Sequence, residues 1–176
     1  MKRKLNEFAR ERMGKLEGDG TFTSFCLEGR MSEMAMGSVD YTMRVKWGDC
    51  DAAGISYYAK NFEWFTDARF ELFAHYGFPY METFHHKGIS LVCLKAESDY
   101  KKMIRPLEEI TIKTSISELT RTRMAFTYQI VKSNGELAAE GFTAHAYVNS
   151  EGRPLNLKKS FPALWNDLSI AQSEKE

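Results

Sequence analysis

The chain has 176 residues, of which 43% are hydrophobic and 27% are charged, and its 24 Lys and Arg residues balance its 24 Asp and Glu residues. This length suits one domain with a single substantial core, and the composition excludes a disordered chain. A formal net charge of zero gives no overall attraction to nucleic acid or to an anionic membrane. No apolar run approaches the roughly 18 residues that a membrane-spanning helix needs, so we expect no membrane span.

The cysteines predict reduced thiols. Cys26, Cys50 and Cys93 are odd in number and do not have the spacing of a metal site. The segment Met1–Phe8 is basic but lacks the apolar core of a secretory signal peptide. We therefore expect a cytoplasmic protein without a disulfide framework, and we expect no metal or redox cofactor.

Residues 1–38 form a predicted N-terminal extension. Apolar side chains recur there at helical spacing among charges, which predicts a short amphipathic helix; they are Leu5, Phe8, Ala9, Met13 and Leu16. Scattered glycines then indicate an irregular connection. The extension could cover the domain, pack on a neighbouring subunit or be mobile, and no residue in it points to chemistry.

A strand and a long helix come next. The strand is predicted by alternation of apolar residues with polar ones at Tyr41, Met43, Val45 and Trp47. After a break at residues 48–54, a helix of about five turns is predicted by apolar residues three and four apart; they are Phe62, Phe65, Ala68, Leu72, Phe73 and Tyr76. Gly77 suits the left-handed end of this helix.

The rest of the chain is predicted to form four strands. Their apolar residues alternate or run together near residues 89–100, 110–116, 124–130 and 137–148, and Asn134-Gly135 predicts a tight hairpin between the last two. We expect an α+β domain over residues 39–155, in which an antiparallel sheet of about five strands wraps one long central helix. This is the hotdog fold. Residues 156–176 form a tail with a short helix, and dimerisation would cover the open sheet edges.

Two carboxylates lie just before the predicted helix, at Asp49 and Asp51. A carboxylate in this place can simply cap a helix. The interval from Ala52 to Tyr58, however, leaves room for a loop in which Asp51 faces a cleft beside unpaired backbone amides. Hydrolysis of a thioester needs an oxygen nucleophile or a base, and donors that stabilise the carbonyl oxygen as it gains charge. A loop acid beside a helix start can provide both.

The string Gly-Asp-Cys-Asp-Ala-Ala-Gly-Ile at residues 48–55 resembles the active-site motif of the 4-hydroxybenzoyl-CoA thioesterase family. The resemblance extends over about residues 41–150. It implies that Asp51 is the catalytic acid and that the backbone N–H of Tyr58 polarises the thioester carbonyl. A Tyr at position 58, where the Tol-Pal-associated branch has a His, implies an aroyl-CoA substrate.

The resemblance also implies substrate-binding residues. Gly54 belongs to the matched string, Tyr57 continues the match after it, and Lys60 and Asn61 follow. The family commonly has an Asn where this chain has Lys60, with Asn61 one residue later, so the acyl specificity of a relative cannot be copied. Lys60 could reach substrate or a phosphate, or it could be an ordinary solvated lysine.

A basic cluster opens a later strand. Arg121 and Arg123 resemble the Arg- and Lys-rich segment with which the family holds the phosphates of CoA. The alternative is a solvated pair of charges at a sheet edge.

Other chemistries lack support in the sequence. The four histidines have no zinc-site spacing, no Gly-x-Ser-x-Gly motif is present, and the acids beside Cys50 oppose a thiolate there. The expected enzyme is a thioester hydrolase that acts on acyl-CoA or aroyl-CoA and forms a homodimer or homotetramer. The alternatives are an acyl-carrier-protein thioesterase, a hotdog dehydratase or hydratase, and a non-catalytic acyl-binding or assembly module.

Overall fold

The computed structural model describes residues 37–173. These residues form one strand, a long helix, a short helix, four more strands and two closing helices. These elements are β1 (Val39–Arg44), α1 (Lys60–His75), α2 (Tyr80–Thr83), β2 (Ser90–Tyr100), β3 (Glu109–Leu119), β4 (Arg123–Lys132), β5 (Leu137–Val148), α3 (Leu157–Ser160) and α4 (Pro162–Ser173). The amphipathic helix predicted within residues 1–38 lies outside the described residues. No helix between residues 37 and 173 is long and apolar enough to span a membrane.

The five strands form one antiparallel sheet in the order β1-β3-β4-β5-β2. β4 and β5 are joined by the predicted hairpin, in which Gly135 adopts φ of 83° and donates its N–H to the carbonyl of Lys132 at 2.8 Å. A positive φ is accessible to glycine without a steric penalty, which is why Asn-Gly predicts this turn. The predicted α+β class and strand number are confirmed.

Helix α1 is buried against one face of the sheet. Phe65, on α1, stacks on Tyr128 of β4 with ring centroids 4.3 Å apart, and both side chains are fully or almost fully buried. Gly141 of β5 lies under the same ring, and a Cβ atom there would overlap it. The alternating apolar residues of β3 and β4 face the helix and complete the core. The sheet therefore wraps a helix, as the hotdog prediction required.

The first strand ends earlier than its apolar alternation predicts. The alternation places Trp47 on the inward face, but its side chain is 74% exposed, and β1 ends at Arg44. The N–H of Lys46 donates to the carboxylate of Asp49 at 3.0 Å, and residues 47–49 form a 3₁₀ turn. This local side-chain hydrogen bond replaces a strand bond, which is a known property of Asp near a strand end.

Candidate active site

The segment between β1 and α1 folds back on itself. The N–H of Tyr57 donates to the carbonyl of Asp49 at 2.8 Å, and Cys50 and Ser56 form an antiparallel bridge. Ser56 also donates its N–H to the carbonyl of Ile104 at 2.8 Å, which fixes the segment to the connection between β2 and β3. Residues 51–55 consequently form the tip of a closed loop beside the start of α1.

Asp51 lies in this loop with an exposed side chain. One carboxylate oxygen accepts the N–H of Ala53 at 2.8 Å, and the Asp51 carbonyl accepts the N–H of Gly54 at 3.0 Å. The turn needs a positive φ at Gly54, which is 70°. The carboxylate makes no hydrogen bond to α1 within the described residues, and the helix has no side-chain cap. The interpretation of Asp51 as a helix cap is therefore wrong. Its second carboxylate oxygen remains available to a substrate or a water molecule.

The start of α1 offers free donors. The N–H of Lys60 donates to the carbonyl of Tyr57 at 2.8 Å, whereas the amides of Tyr58 and Ala59 have no acceptor in the part of the chain that the structure describes. Unpaired amides at a helix start carry partial positive charge. The residue Tyr58 is 63% exposed. The geometry supplies a donor for a carbonyl oxygen close to the loop that carries Asp51.

Three tyrosines surround these donors. The rings of Tyr57 and Tyr58 lie 4.5 Å apart between centroids and are tilted by 50°. The hydroxyl of Tyr100, at the end of β2, donates to the carbonyl oxygen of Tyr58 at 2.6 Å. All three side chains are substantially exposed. They form an aromatic rim beside the start of α1, and the substrate contact predicted for Tyr57 stays a prediction.

The other acid of the pair has a different environment. Asp49 is only 8% exposed, and its carboxylate accepts the Lys46 N–H at 3.0 Å and pairs with the ammonium of Lys60 at 3.5 Å. Lys60 also pairs with Glu63 at 2.7 Å, and hydrogen bonding to Glu63 raises the pKa of Lys60. Asp49 therefore fastens the loop to the helix. The substrate contact predicted for Lys60 stays a prediction. A substrate group would have to compete with the carboxylates of Asp49 and Glu63 for its ammonium.

Asn61 lies deeper, in the first turn of α1. It is 1% exposed, and its Nδ2 donates to the hydroxyl of Ser98 on β2 at 2.9 Å. Its Oδ1 is buried and has no hydrogen-bond partner among the described residues. A buried acceptor without a donor is costly. A donor group on a ligand between α1 and β2 would satisfy it, which keeps the predicted substrate contact of Asn61 open.

Cys50 is unsuited to act as the nucleophile. Burial, followed by the negative charges of Asp49 and Asp51, raises the pKa of its thiol. A raised pKa removes the reactive thiolate at neutral pH.

Among residues 37–173, no three His, Cys, Asp or Glu side chains are grouped to hold a metal ion. The role of Asp51 as the reactive group stays a prediction.

Comparison with known proteins identifies the family. The sequence profile of the thioesterase-like superfamily matches residues 45–168, which is most of the chain and includes the loop of Asp51. This chain belongs to the thioesterase-like superfamily.

Proteins that are similar to this chain agree with the predicted hotdog thioesterase family. The structure is similar to a DHNA-CoA thioesterase from Staphylococcus aureus, with a TM-score of 0.73 and 26% identity, covering 77% of this chain and 91% of that chain. It is similar to the gentisyl-coenzyme A thioesterase BH1999, with a TM-score of 0.65 and 26% identity, covering 76% and 99%. The sequence is similar to the acyl-CoA thioester hydrolase YbgC of Escherichia coli O157:H7, 27% identical over 100 residues, which are 57% of this chain and 74% of that protein.

The two candidate phosphate ligands of this superfamily member are remote from Asp51 within one chain. Arg123 pairs in register with Ala146 at one end of the sheet, whereas Arg44, which leads into the site loop, pairs with Glu109 at the other end. The length of β3 separates the two ends by about 30 Å. Arg121 and Arg123 are exposed, and their side chains have no ion pair within residues 37–173. Their role in binding CoA stays a prediction.

Sequence reasoning missed Ser98 and Tyr100. Both point from β2 towards the start of α1, where they bond Asn61 and Tyr58. The available signal was their spacing of two residues on one strand, which places them on one face. That signal becomes informative only when the face of β2 that meets α1 is known.

Proposed function

We propose that this protein hydrolyses acyl-CoA or aroyl-CoA thioesters to the free acid and CoA. The observation that carries the proposal is the pairing of an exposed loop carboxylate, Asp51, with the acceptor-free amide of Tyr58 at the start of α1. Membership of the thioesterase-like superfamily supports it. So do the names of the similar proteins, which act on DHNA-CoA, gentisyl-CoA and acyl-CoA thioesters.

The reaction begins when the thioester carbonyl oxygen accepts the N–H of Tyr58. Asp51 then either attacks the carbonyl carbon to form an acyl-aspartyl anhydride or removes a proton from a water molecule that attacks instead. In both routes the helix start stabilises the negative oxygen of the tetrahedral intermediate. The intermediate expels the CoA thiolate, which takes up a proton; in the second route this is the proton that Asp51 removed from the water, and its transfer restores the carboxylate. In the first route, water then hydrolyses the anhydride and restores the Asp51 carboxylate.

The environment of the site supports an aromatic acyl group. Tyr57 and Tyr58 are exposed beside the start of α1, and Phe62 is half-buried on α1. Trp64 and Phe65 are buried in the core and cannot stack on a substrate. A flat acyl group against the accessible rings would gain about 0.5–1.5 kcal/mol per pair beyond area burial. We therefore expect an aroyl-CoA substrate of the 4-hydroxybenzoyl type.

A dimer would complete the site. β2 is an edge strand of the described sheet, and it exposes Val92 and Leu94. A two-fold axis beside β2 would pair the two edges and bury these side chains. It would also place the Ser90 end of one β2 against the Tyr100 end of the other. The arginine pair of one subunit would then approach the Asp51 of its neighbour, where it could hold the CoA phosphates.

A panel of thioesters tests the proposed function. Benzoyl-, phenylacetyl-, hexanoyl- and acetyl-CoA, together with an acyl-carrier-protein thioester, are supplied to the purified protein, and released thiol is measured. We expect the aromatic CoA thioesters to have the highest kcat/KM. A hexanoyl thioester that reacts as fast as every aromatic one would leave a general acyl-CoA thioesterase, and preference for the protein carrier would favour the carrier-protein alternative. Binding without any release of thiol would identify a non-catalytic acyl-binding module.

A further inference from the structure

One buried cation on α1 has no counter-ion among the described residues. Arg69, on α1, is 9% exposed. Its Nη1 donates to the hydroxyl of Tyr128 at 3.1 Å and its Nη2 to Thr66 Oγ1 at 3.4 Å, and the guanidinium lies 5.5 Å from the centre of the Phe126 ring. No carboxylate lies within 4.0 Å of it in the described part of the chain. These neutral partners leave several of its five N–H donors unused.

The surrounding polar groups do not offset the charge. Burial raises the pKa of Tyr128, so its hydroxyl stays protonated, and this hydroxyl is 2.9 Å from Thr143 Oγ1. His145 Nε2 lies 3.0 Å from the same Thr143 atom. Burial, followed by the charge of Arg69, lowers the pKa of His145 to about 4, so the imidazole is neutral at pH 7. The cluster therefore carries one net positive charge, and a buried charge without an opposite partner is strongly unfavourable.

The location of Arg69 relates this charge to the reaction. Thr143 is in register with Ala96 on β2, and Ala96 is exposed, so the polar cluster borders the open face of that strand. Thr66, which contacts the guanidinium, lies about 12 Å along the helix from Tyr58. Along β2, Tyr100 bonds Tyr58, and Ser98 bonds Asn61. Ala96, the next residue on the same face, is in register with Thr143 of the Arg69 cluster, so these groups follow one another along the boundary between α1 and β2. An acyl group that lies along this boundary from Tyr58 would extend towards Arg69.

We propose that Arg69 binds a carboxylate at the far end of the acyl group, so that the preferred substrates are thioesters of dicarboxylic acids. This inference rests on the proposed thioesterase function. The guanidinium has the planar fork of donors that matches a carboxylate, and such a pair would remove the unbalanced charge. The aromatic rim at Tyr57 and Tyr58 is compatible with a ring between the two carboxyl carbons.

Matched substrates test the inference. Adipoyl-CoA is compared with hexanoyl-CoA, and 4-carboxybenzoyl-CoA with benzoyl-CoA, on the wild type and on Arg69→Met, Arg69→Lys and Arg153→Met. Arg153 is an exposed arginine that pairs with Glu151 and serves as the control. We expect the wild type and the control to prefer each carboxylate-bearing thioester by at least tenfold in kcat/KM. Arg69→Met should lose this preference, so that it uses both members of each pair equally well, and Arg69→Lys should be intermediate.

Two measurements distinguish a loss of carboxylate recognition from a loss of folding or of catalysis. Thermal unfolding shows that Arg69→Met is folded, and equilibrium binding of adipoyl-CoA and hexanoyl-CoA reports recognition even if no thiol is released. Absence of hydrolysis with tighter, Arg69-dependent binding of adipoyl-CoA would overturn the proposed function and support the inference. Equal use of hexanoyl- and adipoyl-CoA by the wild type would overturn the inference alone. So would an equal loss on both substrates in Arg69→Met with a change of oligomeric state, because a second copy would then supply the counter-ion.

Discussion

The hydroxyl of Tyr100 donates a hydrogen bond to the carbonyl oxygen of Tyr58 at 2.6 Å. This bond joins the end of β2 to the start of α1. The Tyr58 carbonyl and the Ala59 N–H belong to one planar peptide group, so the bond fixes the direction in which that N–H points. The adjacent Tyr58 amide, which we assign to the substrate carbonyl, is restrained with it.

The Tyr100→Phe variant tests this restraint. Loss of one hydrogen bond is worth about 0.5–1.5 kcal/mol, so kcat should fall by no more than roughly tenfold. KM should change little, because the restraint acts on the charged intermediate more than on the bound substrate. Steady-state thiol release provides both constants. Tyr41→Phe on β1 is the control, and a kcat for Tyr100→Phe equal to that of the control would show that the bond does not position the amide.

The contact between Gly141 and Phe65 predicts a stability effect. A Cβ atom on Gly141 would overlap the Phe65 ring, which is fully buried and stacked on Tyr128. Gly141→Ala should therefore lower the free energy of unfolding by about 1–3 kcal/mol, the usual cost of an overpacked core. Urea unfolding measures it. Gly48→Ala is the control, because no atom lies within 4 Å of a Cβ built there and its φ is not positive; equal stability of the two variants would contradict the packing.

Much of the fold follows from local patterns. The last strand is predicted at residues 137–148 and forms at Leu137–Val148, because alternation, hairpin and turn residues all agree. The central helix is predicted from apolar spacing and forms at Lys60–His75. The end of β1 is misplaced by the sequence pattern because the hydrogen bond between Lys46 and Asp49 overrides the apolar alternation that includes Trp47. Whether a local hydrogen bond or the strand pattern prevails depends on side-chain geometry, and the spacing of apolar residues carries no information about that geometry.

The site was only partly predictable. The loop of Asp51 could be found because its residues are consecutive and precede a helix. Ser98 and Arg69 were missed because their significance depends on distant contacts, such as the bond between Asn61 and Ser98, which are 37 residues apart. In the sequence, Arg69 resembles an ordinary polar residue of an amphipathic helix. Its burial becomes evident only once β4 and β5 are placed against that helix.

His145 predicts a dependence of stability on pH. Its pKa is about 4 in the folded protein and about 6.5 in the unfolded chain. The unfolded state therefore binds more protons between these values, so the contribution of His145 to stability is complete above pH 6.5 and is lost as the pH falls towards 4. Urea unfolding of the wild type and His145→Gln at pH 7.5, 6 and 5 measures it.

As the pH falls, the free energy of unfolding should decrease more for the wild type than for His145→Gln, because only the wild type has the buried imidazole. The exposed His75, replaced by Gln, is the control and should follow the wild type. A pH dependence of His145→Gln identical to that of the wild type would contradict the assigned state of His145.

The exposed arginines predict a change in substrate affinity. Replacement of Arg121 and Arg123 with Ala should raise KM for CoA thioesters while kcat changes little. The reason is that phosphate binding stabilises the bound substrate and the transition state equally. Added salt should reproduce the effect on the wild type. Lys113→Ala on β3 is the control. A double variant that loses kcat at unaltered KM would show that the pair is not a phosphate clamp.

The carboxylate of Asp51 performs the chemistry in the proposed reaction, and kcat of Asp51→Asn tests this most directly. Asn keeps the size of the side chain and an oxygen that can accept the Ala53 N–H, so the loop is retained while the charge is lost. Thiol release from the best CoA thioester is compared with that of the wild type and of Asp67→Asn, an exposed control on α1. We predict that Asp51→Asn lowers kcat by about 10²-fold or more, and that the control leaves it unchanged. A kcat for Asp51→Asn equal to that of the wild type, with the fold intact by circular dichroism, would contradict the assignment of the site.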